Sequence, residues 1–110
     1  MPIFTKTFDL VMWLLPVTDR FPRERRFTLT QRLLNAAFDL REHLEAAQYR
    51  SGKERLERLM QADEALARLR FYVRLVARLE WLTGSQYQHV AQMISEVGKL
   101  LGGWRKATKV

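Results

Sequence analysis

A sequence of 110 residues has room for one domain, because domains usually contain about 100 to 150 residues. Its 47% hydrophobic and 28% charged content is typical of an ordered globular protein, so we expect a single domain over residues 1–110. The absence of cysteine excludes disulfides and thiolate chemistry and agrees with a cytoplasmic location. A net charge of +7 favours polyanionic partners such as RNA or DNA. No apolar run approaches the ~18 residues of a membrane span, so no membrane partner is expected.

The first half of the chain predicts two helices. Helix one covers about residues 4–18 and ends near Pro16, since proline disfavours continuation. Its apolar residues recur at helical spacing: Phe4, Phe8, Val11, Met12 and Leu15. Helix two begins at residue 22 or 28 and ends near residue 49, and Thr28 followed by Gln31 has the pattern of a capping box. One face of helix two is apolar and contains Leu29, Leu33, Ala36, Ala37, Leu40 and Leu44.

The second half predicts two more helices, separated from helix two by a break at Ser51 and Gly52. Helix three covers about residues 53–82 and helix four about residues 85–104, with Ser85 as the expected cap of helix four. The residues of helix three expected to face inward are Leu56, Leu59, Met60, Leu66, Leu69, Val73 and Val76. Those of helix four are Val90, Met93, Ile94, Val97, Leu100 and Leu101. Because short links make antiparallel neighbours, the predicted fold class is all-α, an up-down-up-down four-helix bundle.

Helix three carries more apolar surface than one inward face requires. Phe71, Leu75 and Leu79 add to its second half, which predicts an interface with another copy of the chain. The alternative is a central helix that is surrounded on all sides. A small domain also buries a limited share of its surface, which favours a homo-oligomer.

Motifs of catalysis or metal binding are missing from the sequence. A di-iron bundle needs a Glu three residues before His, but Leu40 precedes His43 and Gln86 precedes His89 at that spacing. Neither a phosphate-binding glycine loop nor a nucleophile elbow is present. We interpret the acidic residues of helix two as a solvated stripe: Asp39, Glu42 and Glu45. The expectation is therefore a protein that is not an enzyme and has no cofactor or metal.

A basic corner between helices one and two is the first candidate binding surface. It contains Arg20, Arg23, Arg25 and Arg26 against the acids Asp19 and Glu24, with Phe21 and Phe27 interleaved. Guanidinium groups bind phosphate oxygens and aromatic rings stack on unpaired bases, so the mixture fits single-stranded RNA. The alternative is that the two phenylalanines anchor the corner to the core while the arginines are merely solvated.

A row of arginines on helix three is the stronger candidate. Arg70, Arg74 and Arg78 recur every fourth residue with Arg68 nearby, and no acid occurs between Glu64 and Glu80. Like charges at this spacing repel one another on a helix, so the row favours an anionic partner. The alternative is internal pairing, either with Asp63 or with acids of a facing helix.

With these surfaces defined, three segments of the sequence resemble a known family. They are residues 21–29, which begin Phe-Pro-Arg, residues 62–75, which contain Asp-x-x-Leu-x-x-Leu-Arg-x-x-x-Arg, and residues 94–104, which end Glu-Val-Gly-Lys-Leu-Leu-Gly-Gly-Trp. The family is a four-helix-bundle family that contains the accessory proteins of diversity-generating retroelements, called Avd, and proteins encoded in intervening sequences of bacterial 23S ribosomal RNA. The second and third segments are more similar to the Avd branch. The segment of residues 38–46 differs from the Ser-Ile-Pro-x-Asn-Ile-Ala-Glu-Gly type of segment found in the other branch.

The resemblance implies a positively charged, ring-like homopentamer that binds a reverse transcriptase together with RNA and, by extension, DNA. Such a complex supports adenine-specific mutagenic synthesis of complementary DNA, and the accessory protein is not the catalyst. Matching positions make Arg70 and Arg74 the contacts with polymerase and nucleic acid. Two alternatives remain at this point: a protein associated with 23S intervening-sequence RNA, and a structural oligomer whose positive charge is incidental.

Overall fold

The computed structural model describes residues 1–110 and contains helices and no strands. The four α-helices are α1 (Pro2–Thr18), α2 (Gln31–Gln48), α3 (Gly52–Arg78) and α4 (Gly84–Ala107). Between α1 and α2 the chain forms a 3₁₀ turn, Arg23–Arg25, and a π-helical turn, Arg26–Thr30. The predicted all-α fold class is confirmed.

The helices form a closed square in which each packs on its neighbours in sequence and α1 also packs on α4. This is the predicted up-down-up-down bundle, and it measures 44 × 25 × 19 Å. The α2–α3 contact is the most extensive, because leucines and alanines on both helices are fully buried there. Buried residues confirm the predicted inward faces of α2 and α4, among them Leu33, Leu40, Leu44, Val90, Ile94, Val97 and Leu101.

Not all of the apolar residues found at helical spacing on helix one face the core. Ile3, Leu10 and Leu14 are buried, whereas Phe8 and Met12 are each 57% exposed. Two apolar stripes run along this helix at the same period, and periodicity does not tell which of them faces the core. Met60 of α3, predicted to face inward, is 48% exposed.

Helix ends differ from the prediction where side chains compete to cap them. The cap of α4 is Thr83 and not Ser85, because Gln86 N donates to Thr83 Oγ1 at 3.0 Å and Thr83 N donates to Gln86 Oε1 at 2.9 Å. Helix α3 ends at Arg78 rather than near residue 82, and Glu80 follows with a φ of 63°. The capping box predicted at Thr28 is absent, because the π-helical turn runs directly into α2.

Candidate nucleic-acid and partner interface

The arginine row on α3 faces solvent. Arg70, Arg74 and Arg78 are all exposed, and none of them forms a salt bridge or a hydrogen bond. Asp63, the internal partner considered from the sequence, binds Arg105 instead, with Nη1 and Oδ2 3.3 Å apart. Pairing of the row with Asp63 is therefore excluded, and these positive charges remain available to an external anion.

Arg68 differs from the rest of the row because it has an acidic partner. Its Nη2 lies 3.4 Å from Oδ2 of Asp39 on α2, and both side chains are about half exposed. The acidic stripe of α2 is likewise engaged by arginine, since Arg41 Nη1 lies 2.6 Å from Glu45 Oε2. The structure thus places Arg68 at the α2–α3 boundary, apart from the three free arginines.

A groove of about 450 Å³ lies between α3 and α4, and Arg70 and Arg74 line it. Lys99 lines the same groove from α4, so cations approach it from both helices. A Cβ built on Gly98 would lie 3.7 Å from Arg70 Nη2, which shows that the Arg70 guanidinium crosses onto α4 at this glycine. The sequence did not single out Lys99, because the register between α3 and α4 is set by packing.

The basic corner combines the two interpretations drawn from the sequence. Phe21 is only 7% exposed, and its ring centroid lies 5.2 Å from that of Trp81, so this phenylalanine anchors the corner to the bundle. Phe27 is 80% exposed and is free to meet a partner. The corner arginines are exposed and form no salt bridge: Arg23, Arg25 and Arg26. The corner is therefore a fixed platform with free guanidinium groups.

Two apolar surfaces face solvent. On α3, Phe71 is 58% and Leu79 is 47% exposed while Leu75 is half-buried. On α1, the exposed side chains of Phe8 and Met12 form a second apolar surface. Because α1 and α3 occupy opposite corners of the square, the two surfaces point in different directions.

Several other ionisable side chains have structural neighbours. Arg58 Nη1 donates to His43 Nδ1 at 3.3 Å, and the His89 ring packs on Trp13 with centroids 5.5 Å apart. Lys6 Nζ lies 2.8 Å from Glu96 Oε2 and links α1 to α4. The hydrogen bond with Glu96 raises the pKa of Lys6, and the same bond lowers the pKa of the Glu96 carboxyl. None of the helices combines the length and apolarity that crossing a bilayer requires.

Fold and surface together define a small basic four-helix bundle with a free arginine row on one helix. A family described as bAvd-like matches residues 1–108, so the chain belongs to the bAvd-like family, and the resemblance noted in the sequence is confirmed. A solved structure from Bacteroides thetaiotaomicron, of a protein with unknown function from the S23 ribosomal protein family, has the same fold. Its TM-score is 0.85 at 17% identity over 96% of this chain and 99% of that one. No curated protein matches the sequence.

Proposed function

We propose that the protein is the accessory subunit of a diversity-generating retroelement and that it binds the reverse transcriptase and its template RNA or DNA. Membership of the bAvd-like family supports the assignment to this class of accessory protein. The observation that carries the proposal is the free arginine row, in which Arg70, Arg74 and Arg78 face solvent without a single acidic partner. In this role the protein supports mutagenic synthesis of complementary DNA by binding, and catalysis belongs to the polymerase.

Charge and shape together explain why this surface suits a polyanion. Successive arginines on α3 lie about 6 Å apart along the helix axis, at 1.5 Å per residue. Guanidinium groups at that spacing can each bind a different phosphate of an extended strand or a different carboxylate of an acidic polymerase surface. Lys99 adds a cation from the other side of the groove. Binding through such contacts depends on charge and salt far more than on base sequence.

The proposal includes a ring-like homopentamer in the cytoplasm. The two apolar surfaces, on α1 and α3, point in different directions, and an interface between unlike surfaces repeats head to tail until the ring closes. In such a ring the α1 surface around Phe8 and Met12 meets the α3 surface around Phe71 and Leu79 of the next copy. Repetition multiplies the arginine rows and raises the positive potential that attracts RNA.

RNA binding by the purified protein tests the role of the row. We expect the logarithm of the affinity to fall with the logarithm of salt concentration by about 0.7 per phosphate neutralised on a single strand. The double variant Arg70→Ala, Arg74→Ala should lose about 1.4 from that slope, because two phosphate contacts are removed. Lys106→Ala with Lys109→Ala is the matched control, since it removes the same charge from exposed residues at the end of the chain. Equal losses in both variants would contradict a specific role for α3.

A second candidate function is association with 23S intervening-sequence RNA. It is favoured by the structural similarity to a protein described as belonging to the S23 ribosomal protein family. The RNA recovered with the protein from cells distinguishes the two functions. A retroelement accessory subunit should bring down the retroelement template RNA, whereas a protein associated with 23S intervening sequences should bring down ribosomal RNA. A purely structural oligomer, the third alternative, predicts that neither RNA is enriched.

A further inference from the structure

A small pocket lies at the basic corner, and none of the arginines of the α3 row lines it. It encloses about 190 Å³ between the end of α1 and the start of α2, and Arg23, Arg26, Thr30 and Gln31 line it. This volume equals that of about six waters at ~30 Å³ each, so a tetrahedral anion fits with water to spare. Arg25 and Phe27, which share the corner in sequence, do not line the pocket.

Thr30 provides the observation that points to a ligand. Its side chain is 91% buried, since 9% remains exposed, and its hydroxyl has no hydrogen-bond partner. No other buried side-chain nitrogen or oxygen in the chain lacks a partner. A buried hydroxyl without a partner is unfavourable, and such a group in a native protein calls for a ligand or another explanation.

The π-helical turn explains why Thr30 is the exception. Threonines on helices donate to the carbonyl three or four residues before them, as Thr18 does to Leu15 O at 3.1 Å and Thr7 does to Ile3 O at 2.8 Å. For Thr30 the carbonyl four residues before it belongs to Arg26, and here it accepts the backbone N–H of Gln31, five residues on. In this turn the Thr30 hydroxyl forms no such bond, and Thr30 lines the pocket. π-Helical turns occur frequently at functional sites.

The charges around the pocket favour an anion. Arg23 and Arg26 carry two positive charges, Asp19 carries the one negative charge, and the lining is therefore net positive by one. Neither arginine forms a salt bridge in the chain. Phe21, which also lines the pocket, packs on Trp81 and holds the corner in place. Two guanidinium groups around a small cavity can bind a phosphate group through several hydrogen bonds at once.

We propose that this pocket binds a phosphate group, held by the guanidinium groups of Arg23 and Arg26 and by the hydroxyl of Thr30. In this site the Thr30 side chain rotates about its Cα–Cβ bond, so that the hydroxyl takes the place of the methyl group and donates to the anion. Both arrangements are staggered rotamers that threonine adopts on helices. The site depends on the corner's own geometry. Only the assignment of the phosphate to an RNA backbone rests on the function proposed above.

Thermal unfolding in inorganic phosphate, compared with chloride at equal ionic strength, tests the site without any polymerase. We expect phosphate to raise the melting temperature of the wild type and to bind at least about tenfold more weakly to Thr30→Val, which loses one hydrogen bond to a charged group. Thr30→Val is close in shape and removes the unbonded hydroxyl, so it should melt slightly higher than the wild type without phosphate. Thr30→Ser should restore phosphate binding, and Asp19→Asn should strengthen it.

The source of the phosphate is separated with two further probes. If a hexauridylate strand competes with inorganic phosphate, the ligand is a backbone phosphodiester. If uridine 5′-monophosphate competes and the strand does not, the ligand is a free phosphate monoester. Arg26→Gln should weaken either ligand, and Arg70→Ala with Arg74→Ala should leave inorganic phosphate binding unchanged. Equal phosphate stabilisation of the wild type and Thr30→Val, or no phosphate stabilisation of the wild type, would overturn the proposal. If the wild type binds phosphate as expected but does not bind the polymerase, only the proposed function is refuted and the phosphate site stands.

Discussion

Replacing both Arg70 and Arg74 with alanine should leave the bundle as stable as before. Neither side chain forms a salt bridge, so no carboxylate is left unpaired by the change. The change removes two like-charge pairs at i, i+4, Arg70–Arg74 and Arg74–Arg78, and each pair costs about 0.2 to 0.5 kcal/mol. Alanine also has a helix propensity at least equal to that of arginine. These gains offset the contact that the Arg70 guanidinium loses at Gly98.

The expected net change in unfolding free energy is therefore within about 0.5 kcal/mol of zero. For a domain of this size 1 kcal/mol corresponds to about 4 to 8 °C, so the melting temperature should move by less than about 4 °C. Circular dichroism during heating measures it. The control on the same helix is Leu69→Ala, because Leu69 is fully buried and its truncation should cost about 2 to 5 kcal/mol.

A fall of more than about 10 °C in the double variant would refute this reasoning. It would show that the arginines stabilise the bundle by pairing with an acidic group, since breaking such a pair costs about 3 kcal/mol or more when it is buried. Normal melting combined with lost binding assigns the row to function. Normal melting with normal binding would assign it to neither function nor architecture.

Three further predictions follow from the described contacts. Thr83→Ala should destabilise the protein by about 1 kcal/mol in denaturant unfolding, because it removes the cap of α4, and no loss would contradict the role of that cap. The Lys6–Glu96 pair stabilises the fold where both groups are charged. Its contribution is present above pH 4.5, the ordinary pKa of Glu96, and is lost as the pH falls through the lowered pKa of Glu96 in the folded protein. On the alkaline side the contribution persists up to pH 10.5, the ordinary pKa of Lys6, and is lost as the pH rises through the raised pKa of Lys6 in the folded protein. Lys6→Gln should therefore be less stable than the wild type at pH 7 and equally stable in strong acid. A stability difference that stays the same at both pH values would count against the pair. Phe8→Ser and Phe71→Ser should each dissociate the oligomer in light scattering if unlike surfaces meet, whereas an effect of only one of them would point to an interface between like surfaces.

Helical periodicity predicted the architecture because the core is built from repeating leucines and alanines. The inward face of α2 could be predicted since Leu33, Leu40 and Leu44 have polar residues on the opposite side. On α1 periodicity does not identify the buried face, because Ile3, Leu10 and Leu14 form one apolar stripe and Phe8 and Met12 form another. Which stripe is buried depends on contacts with α2 and α4 and not on the helix itself.

The candidate sites were predictable in part for the same reason. The sequence singled out Arg70 and Arg74 but left open whether they pair internally, and the structure shows both exposed to solvent. The position of Lys99 beside them depends on how α4 is shifted along α3, and no local pattern encodes that shift. The unbonded hydroxyl of Thr30 follows from a π-helical turn, for which the sequence has no recognisable signature.

The most direct test of the account is purification of the tagged protein from cells that express it with the reverse transcriptase of its own locus. The account predicts that the polymerase and template RNA are recovered together with the wild type, and that both are lost with Arg70→Ala, Arg74→Ala while the Lys106→Ala, Lys109→Ala control retains them. Recovery of ribosomal RNA without polymerase, or equal recovery with both double variants, would contradict it.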